Sequence, residues 1–583
     1  MIRLRNRQTQ LANINKKAHL PVLSSLFLHP KLLKTIGLLF IIIFFILPIL
    51  RLIFMSFIGE GGFTLSFYEE ILTEERTWTV LKNTMYVIIG STAIASIVGV
   101  LFAWIMAYTD IRGKGIIQVF ILLPFVIPSY ITSLAWVQFF GPAGFLDSVL
   151  SVLPFEVPTW DLYSISGIIF VMGISHFPLV YLFTVNVLRQ IPREMELAAR
   201  ISGASRLKSF RKVVLPIALP GIVGGTFIAF LGSLDNFGIP AFLGTPANIS
   251  VLSTYIYQQV IGFGTSSFNR AAVLSVVLGI IALIGIALQW FVLRKSKRLE
   301  TEKIDYEPRY YLGKKKLVVE GIVWLFFAVT SIFPLVSMVL TSFLRAYGLS
   351  FTWENMSLKN YSYILTSPST TEAIWTSLKL AGTTAIIGIW IGTLIAYLRV
   401  RKPSMFMKVV EGSITIPYAL PGTVLALAMI FAWMEPIPGW NPGIYGSVAI
   451  LYIAYITRFL ILQVRSGITA FQQVDVQMEE ASRINGTNGF GKWKRILIPL
   501  ITPGVLSGAM LVFLSALSEL TVSALLYSSD SETIGVSILS FQQSGYSLYA
   551  TAFSCVIIGL ILLSYIILFV VQALWKRKVG KNQ

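Results

Sequence analysis

The stretch Glu479-Glu480-Ala481-Ser482-Arg483-Ile484-Asn485-Gly486, closing with Ile496-Leu497-Ile498-Pro499, has a counterpart far upstream. There the chain reads Glu196-Leu197-Ala198-Ala199-Arg200-Ile201-Ser202-Gly203 and closes with Val213-Val214-Leu215-Pro216. Glycine and proline are 13 residues apart in both (216 − 203 and 499 − 486). Each stretch follows one apolar run and leads into another, so each is a basic loop between membrane helices. A loop kept twice, in a chain otherwise mostly lipid-soluble, predicts a docking surface rather than a connector.

Composition sets the class around these loops. With 55% hydrophobic and 13% charged residues and a mean hydropathy of +0.76, the chain is a polytopic membrane protein. A bilayer core takes about 20 apolar residues per helix, and only helices or closed barrels satisfy the backbone there. The apolar runs are continuous rather than alternating, which excludes a barrel. The single cysteine, Cys555, rules out a disulfide framework, and His19, His29 and His176 stand at no metal-ligand spacing, so no metal site is expected. The net charge of +19 lies in loops between apolar runs, as the positive-inside bias requires. The bilayer is the expected partner, and nucleic acid is not.

Hydropathy predicts twelve spans, at about 36–58, 83–108, 116–140, 164–188, 213–236, 271–294, 317–343, 374–398, 409–434, 445–464, 499–523 and 549–574. The leading segment carries Arg3, Arg5, Arg7, Lys16, Lys17, Lys31 and Lys34 without an acid, and its first apolar run is too extended for a cleaved signal peptide. The next loop is acidic (Glu60, Glu69, Glu70, Glu74, Glu75), and the signs alternate from there. Both repeated loops and the Lys576-Arg577-Lys578 tail fall inside, giving a multi-pass topology with N- and C-termini cytoplasmic.

The chain divides into two halves. Gly99 and Ala103 match Gly392 and Ala396, and Pro124 and Pro128 match Pro417 and Pro421, all at an offset of 293. At the repeated loops the offset is 283, because the first half has a longer outer loop containing Gly141, Pro142, Pro154 and Pro158. The expected organisation is a basic segment (1–35), a six-span half (36–294), a linker (295–316), a second six-span half (317–574) and a basic tail (575–583). Six spans per half insert both halves the same way up, so the fold is an all-α helix bundle in two parallel, pseudo-symmetric halves.

The pattern Glu-Ala-Ala, three residues, Gly, nine residues, Ile-x-Leu-Pro resembles the signature loop of permease subunits of bacterial ABC importers. The twelve-span fused layout is similar to the ferric-iron permeases and their relatives for thiamine, polyamines and phosphonates. Leu123-Pro124-Phe125-Val126-Ile127-Pro128-Ser129-Tyr130 and Phe237–Pro246 are similar to the iron branch. The resemblance implies a type I importer permease that moves ferric iron inward from an extracytoplasmic substrate-binding protein. It also implies that the loops form short coupling helices seated on a cytoplasmic ABC ATPase, a homodimer taking one loop per copy. Glu196, Ala198, Ala199, Gly203 and Pro216, with Glu480, Ala481, Gly486 and Pro499, are the expected coupling residues. Small alanines permit close approach, the glycines permit a left-handed turn, and the prolines suit the first turn of the next span.

The two loops are not equivalent in sequence. Glu480 stands six residues before Gly486, but Leu197 stands six before Gly203. Glu196 is adjacent, and one residue on a helix turns about 100°, so the second loop is expected to make the stronger charged contact. No phosphate loop G-x-x-x-x-G-K-[ST] is present. The chain is thus expected to be no enzyme and to bind no cofactor, with ATP used by the partner.

Path candidates are Asp235 and Glu519, because charge in a membrane span is a functional hypothesis by default. They suit a trivalent cation as hard oxygen ligands, or they sit at headgroup level, or pair with Arg51 or Arg458. Pro124, Pro128, Pro417 and Pro421 either kink the helices or line a path with freed carbonyls. A secondary transporter would instead need ion sites at the midplane, where few charges occur. A membrane enzyme would need clustered catalytic groups, and none gather here.

Overall fold

Pro128 and Pro421 set the shape of the middle of each half. The computed structural model describes residues 30–59, 61–141, 144–150, 160–262, 266–294, 305–434, 443–484, 486–487 and 489–580. Both prolines have an extended backbone (ψ 139° and 141°) at the head of a new helix. Proline cannot donate into the preceding turn and forces its predecessor out of the α region; Ile127 and Leu420 are extended accordingly, with ψ 131° and 144°. Lys114–Val126 is therefore bent by 105° from the helix beginning at Ser129, and Met405–Ala419 by 110° from Gly422–Trp433. The single spans expected at 116–140 and 409–434, with a proline kink or break, are each a pair of helices meeting at more than 100°. Pro124 and Pro417 lie inside the first helix of each pair.

Ten further helices are long and apolar enough to cross a membrane, among the described residues. In the first half they are Thr35–Met55, Glu75–Tyr108, Ile165–Gln190, Arg206–Asp235 and Ser267–Leu293. In the second they are Gly313–Ser342, Pro368–Arg401, Val448–Gln472, Gly489–Leu517 and Ser547–Trp575. Glu75–Tyr108 and Pro368–Arg401 begin and end 293 residues apart, so the offset read from four side chains holds for whole helices. The result is the all-α membrane bundle that the hydropathy predicts. The basic residues 1–29 with His19 and His29, Glu60, the outer-loop Pro142, Pro154, Pro158 and Glu156, and linker residues 295–304 lie outside the described residues.

The halves of the sequence are not the halves of the packing. Thr35–Met55 lies on the second half: the Phe44 ring lies 5.5 Å from that of Trp433, tilted by 32°, and Ile41 and Phe45 pack with Met407, Val410, Ile414 and Leu460. Conversely, Gly313–Ser342 lies on the first half, with Phe326 and Phe327 at 4.9 and 5.0 Å from Phe102. Polar contacts repeat the exchange. Arg51 Nη1 donates to the Phe431 carbonyl at 3.0 Å, and Ser337 Oγ donates to the Gln138 carbonyl at 2.6 Å. The two acceptors are again 293 residues apart.

Charge separates the two ends of the bundle. Arg270 pairs with Glu70, and with Glu74 at 2.6 Å, at one end. The repeated loops and residues 305–316 gather at the other. Single cysteines at Glu70 and at Lys494, in a Cys555→Ser background, are expected to label from opposite faces. An impermeant maleimide should reach Glu70→Cys in intact cells and Lys494→Cys only after permeabilisation; labelling of both in intact cells would overturn the assigned topology.

Candidate functional site

Each repeated loop folds as a nine-residue helix, a glycine turn and a second helix that runs into the next span. The first helices are Arg193–Ile201 and Val476–Ile484, 283 residues apart. Gly203 (φ +87°) and Gly486 (φ +71°) are left-handed, with open space where a Cβ would project. Glycine is needed there for its backbone and not for room. The second helices start at Arg206 and Gly489 and pass through π turns at Phe210–Val214 and Trp493–Leu497. This corrects the expected place of Pro216 and Pro499: each follows a widened turn inside a helix already under way, and that turn takes up the missing N–H.

The helices present matching faces. Ile201 and Ile484 are 87% and 86% exposed, and Met195 and Met478, again 283 apart, are also exposed. Large apolar side chains at equivalent exposed positions mark a contact surface. Glu480, Ala198 and Ala481 lie on the exposed side, and Ala199 is half-buried. Glu196, expected among the docking residues, is instead buried together with its counterpart Glu479. Glu196 accepts a hydrogen bond from the Tyr310 hydroxyl and pairs with Arg309 at 3.5 Å. Glu479 is held by Arg401 Nε at 2.5 Å and Lys492 Nζ at 2.9 Å. A carboxylate here pays desolvation only because cations sit beside it. Burial alone would raise the Glu479 carboxyl, but the hydrogen bonds from Lys492 and Arg401 hold it below its usual range.

At the middle of the molecule, Arg458 lies between the two candidate path carboxylates. Its Nη2 is 2.8 Å from Asp235 and its Nε is 3.5 Å from Glu519. Asp235 also accepts the Gly422 amide at 2.5 Å, so a first-half carboxylate caps the second-half helix opened by Pro421. Glu519 accepts the Val522 amide at 2.9 Å, and Asn236 accepts the Ile239 amide at 3.0 Å. Both partners are shifted by 283, so Glu519 is the structural counterpart of Asn236 and has no acidic twin. Of the readings open for this pair, the structure has pairing with Arg458, and a guanidinium occupies the position between the oxygens. Arg51 is engaged elsewhere, on Phe431.

Sequence reasoning missed Arg309, Tyr310, Arg401 and Lys492 as site residues. Arg458 could be found from its place in an apolar span. The other four look like ordinary positive-inside or linker residues, and only contact shows their partners.

Two outcomes follow. Arg458→Ala removes the cation shared by Glu519, whose side chain is 9% exposed, and the more open Asp235 at 37%; it should cost about 1.5–3 kcal/mol, read as a lowered thermal midpoint in detergent, and adding Glu519→Gln should recover part of it. A midpoint unchanged by Arg458→Ala contradicts the network. Because the Glu479 carboxyl is depressed in the folded state, its stabilisation is complete above its ordinary value of 4.5 and is lost as pH falls through the lower folded value. Amide exchange of residues 476–484, corrected for intrinsic rate, should therefore rise only below that range.

Comparison with known proteins accords with this geometry. The family described as "Binding-protein-dependent transport system inner membrane component" matches the chain twice, over residues 99–300 and 386–580. The ferric transport system permease protein FbpB of Actinobacillus pleuropneumoniae is 25% identical over 556 residues, covering 94% of this chain and 79% of its own. The Fe(3+)-transport system permease protein FbpB 2 of Haemophilus influenzae is 25% identical over 514 residues, covering 88% and 93%. The sulfate transport system permease protein CysT of Salmonella typhimurium is 28% identical over 207 residues, covering 36% and 72%. The chain belongs to the inner-membrane permease components of binding-protein-dependent ABC transporters, with the family's domain present twice in one polypeptide.

Proposed function

We propose that this chain is the conduit of an importer that accepts ferric iron from an extracytoplasmic binding protein. A separate cytoplasmic ABC ATPase homodimer drives it, and each copy docks on one of Arg193–Ile201 and Val476–Ile484. This chain binds no nucleotide; the ATP is used by the partner. The matched exposed isoleucines beside left-handed glycines support the docking assignment.

The observation that carries the cargo assignment is the charge at the seam. Two carboxylates, Asp235 and Glu519, share one guanidinium, Arg458. Arg458 and Glu519 belong to the second half and neutralise each other when the halves part. Asp235 belongs to the first half and is then left bare on the path wall. A wall with net negative charge favours a cation and opposes sulfate or a phosphonate. Relatives named for ferric iron span most of the chain, which supports the same reading.

The test is uptake of labelled ferric iron, sulfate, 2-aminoethylphosphonate, thiamine and spermidine in a strain lacking its own systems. Iron uptake is expected, lowered about tenfold by Asp235→Asn, the size of one lost charge-assisted contact. Uptake of another cargo without iron removes iron, and iron uptake indifferent to Asp235→Asn removes the carboxylate from the path.

Docking has its own test. Proline at 486 cannot take positive φ, so Gly486→Pro should abolish cargo-stimulated ATP hydrolysis. Glu480→Ala should loosen ATPase co-purification, and Leu197→Glu, which supplies the carboxylate the first loop lacks, should tighten it. Unchanged association in both variants would remove this carboxylate position from the interface.

A further inference from the structure

Residues 305–310 are bound across the first coupling helix, and residues 309–316 are fastened beside it to Tyr108 and Asp110. Asp305 accepts from Arg193 Nε at 2.5 Å and Nη2 at 3.2 Å, and Glu307 pairs with Arg193 at 3.2 Å. Four residues on, Arg309 and Tyr310 reach Glu196 of the same helix. The backbone amides of Arg309 and Tyr310 both donate to the Tyr108 carbonyl at 2.8 Å. Asp110 fastens the far end, accepting the Leu312 amide at 2.9 Å and Lys316 Nζ at 3.2 Å.

The second half holds its coupling helix differently, and the offsets show how. Glu479 is the counterpart of Glu196. Its partners are Arg401, at the end of Pro368–Arg401, and Lys492, at the end of Gly489–Lys492. Subtracting 293 and 283 places Tyr108 and Ser209 at those positions in the first half, so both cations are missing there. Arg309 stands in their place. It stacks 4.4 Å from the ring of Tyr108 and donates through Nη2 to the Ile191 carbonyl. Arg401 Nη2 donates to the Val474 carbonyl at 2.7 Å, and Ile191 and Val474 are 283 apart. One arginine thus makes the same pair of contacts in each half, from a span end in the second and from the inter-half connection in the first. The Arg193 clasp has no second-half equivalent, since Val476 takes that position.

We propose that residues 305–312 are a positioning strap that sets the first coupling helix, with Arg309 and Tyr310 as counter-groups for Glu196. The strap continues into Gly313–Ser342, the second-half helix that lies on the first half. Displacement of that helix is therefore passed directly to Arg193–Ile201, while among the described residues the ion pairs of Val476–Ile484 stay within its own half. The consequence for ATP-driven motion rests on the docking reading above; the strap itself does not.

The experiment compares wild type, the double variant Arg309→Ala/Tyr310→Phe, and the same double variant with Ser209→Lys, which grafts the second-half solution. Amide exchange is first measured on the permease alone in lipid nanodiscs. The double variant should speed exchange of residues 193–201 about tenfold or more, the cost of losing hydrogen bonds to a charged group. Residues 476–484 should not change, and Ser209→Lys should reverse most of the effect. No change at 193–201, or an equal change in both helices, overturns the strap. Should the double variant fail to assemble, Tyr310→Phe alone removes one hydroxyl and keeps the ring; it should speed exchange severalfold, and no increase overturns the proposal.

The second measurement is ATP hydrolysis by the complete transporter with binding protein loaded with ferric iron. It should fall severalfold in the double variant and recover with Ser209→Lys. Faster exchange with unaltered hydrolysis would overturn the strap's part in transmission. If Gly486→Pro leaves ATPase association and hydrolysis intact, the docking reading fails by itself and the exchange result stands.

Discussion

A backbone group left open in lipid must be answered from within the protein, and each half has a short helix, Ser129–Phe140 or Gly422–Trp433, buried along nearly its whole length. Gly422–Trp433 is answered at both ends by the first half. Asp235 takes its first amide, and Arg51 takes the Phe431 carbonyl in its last turn. An acid at the amino end and a base at the carboxyl end also oppose the helix dipole in the favourable sense. Ser129–Phe140 receives Ser337 from the second half at its last turn. The break in the third span of the second half is thus closed by the first half, and the last turn of each short helix is held by the exchanged first helix of the other half.

Pseudo-symmetry governs the backbone far more strictly than it governs charge. The helices Glu75–Tyr108 and Pro368–Arg401, the π turns Phe210–Val214 and Trp493–Leu497, the left-handed Gly203 and Gly486, and the capped amides of Ile239 and Val522 repeat at 293 or 283. The charged groups at the same places do not. Glu519 has a neutral twin in Asn236, Arg401 faces Tyr108, and Lys492 faces Ser209. Asymmetry enters through side chains laid on a repeated frame, and it concentrates at the seam between the halves and at the helix Arg193–Ile201.

What the sequence made legible follows the same division. The repeat offset, the span count and the loop signature are properties of the backbone plan, so matching glycines, alanines and prolines were enough to find them. The carboxylates were harder. Glu479 and Glu480 are neighbours, one buried and one exposed, and the choice depends on Arg401, 78 residues away. Glu196 depends on Arg309, 113 residues away, within a mixed-charge stretch whose composition is that of a linker. Pro128 and Pro421 announced a disturbance, but a kink and a bend above 100° differ in the ψ of the residues at the break. The exchange of first helices left no trace in hydropathy, since a lipid-facing surface fits either half.

The exchange also bears on how the chain is made. Arg51 and its acceptor at Phe431 are separated by 380 residues. At a synthesis rate of about 5–20 residues per second, the first span waits roughly 20–75 s in the bilayer before its seat is even translated. During that interval Arg51 must reach toward the interface for water, and the apolar face carrying Ile41 and Phe45 rests against lipid alone. Assembly therefore cannot proceed half by half in order of synthesis: a helix made long before its seat can dock only late.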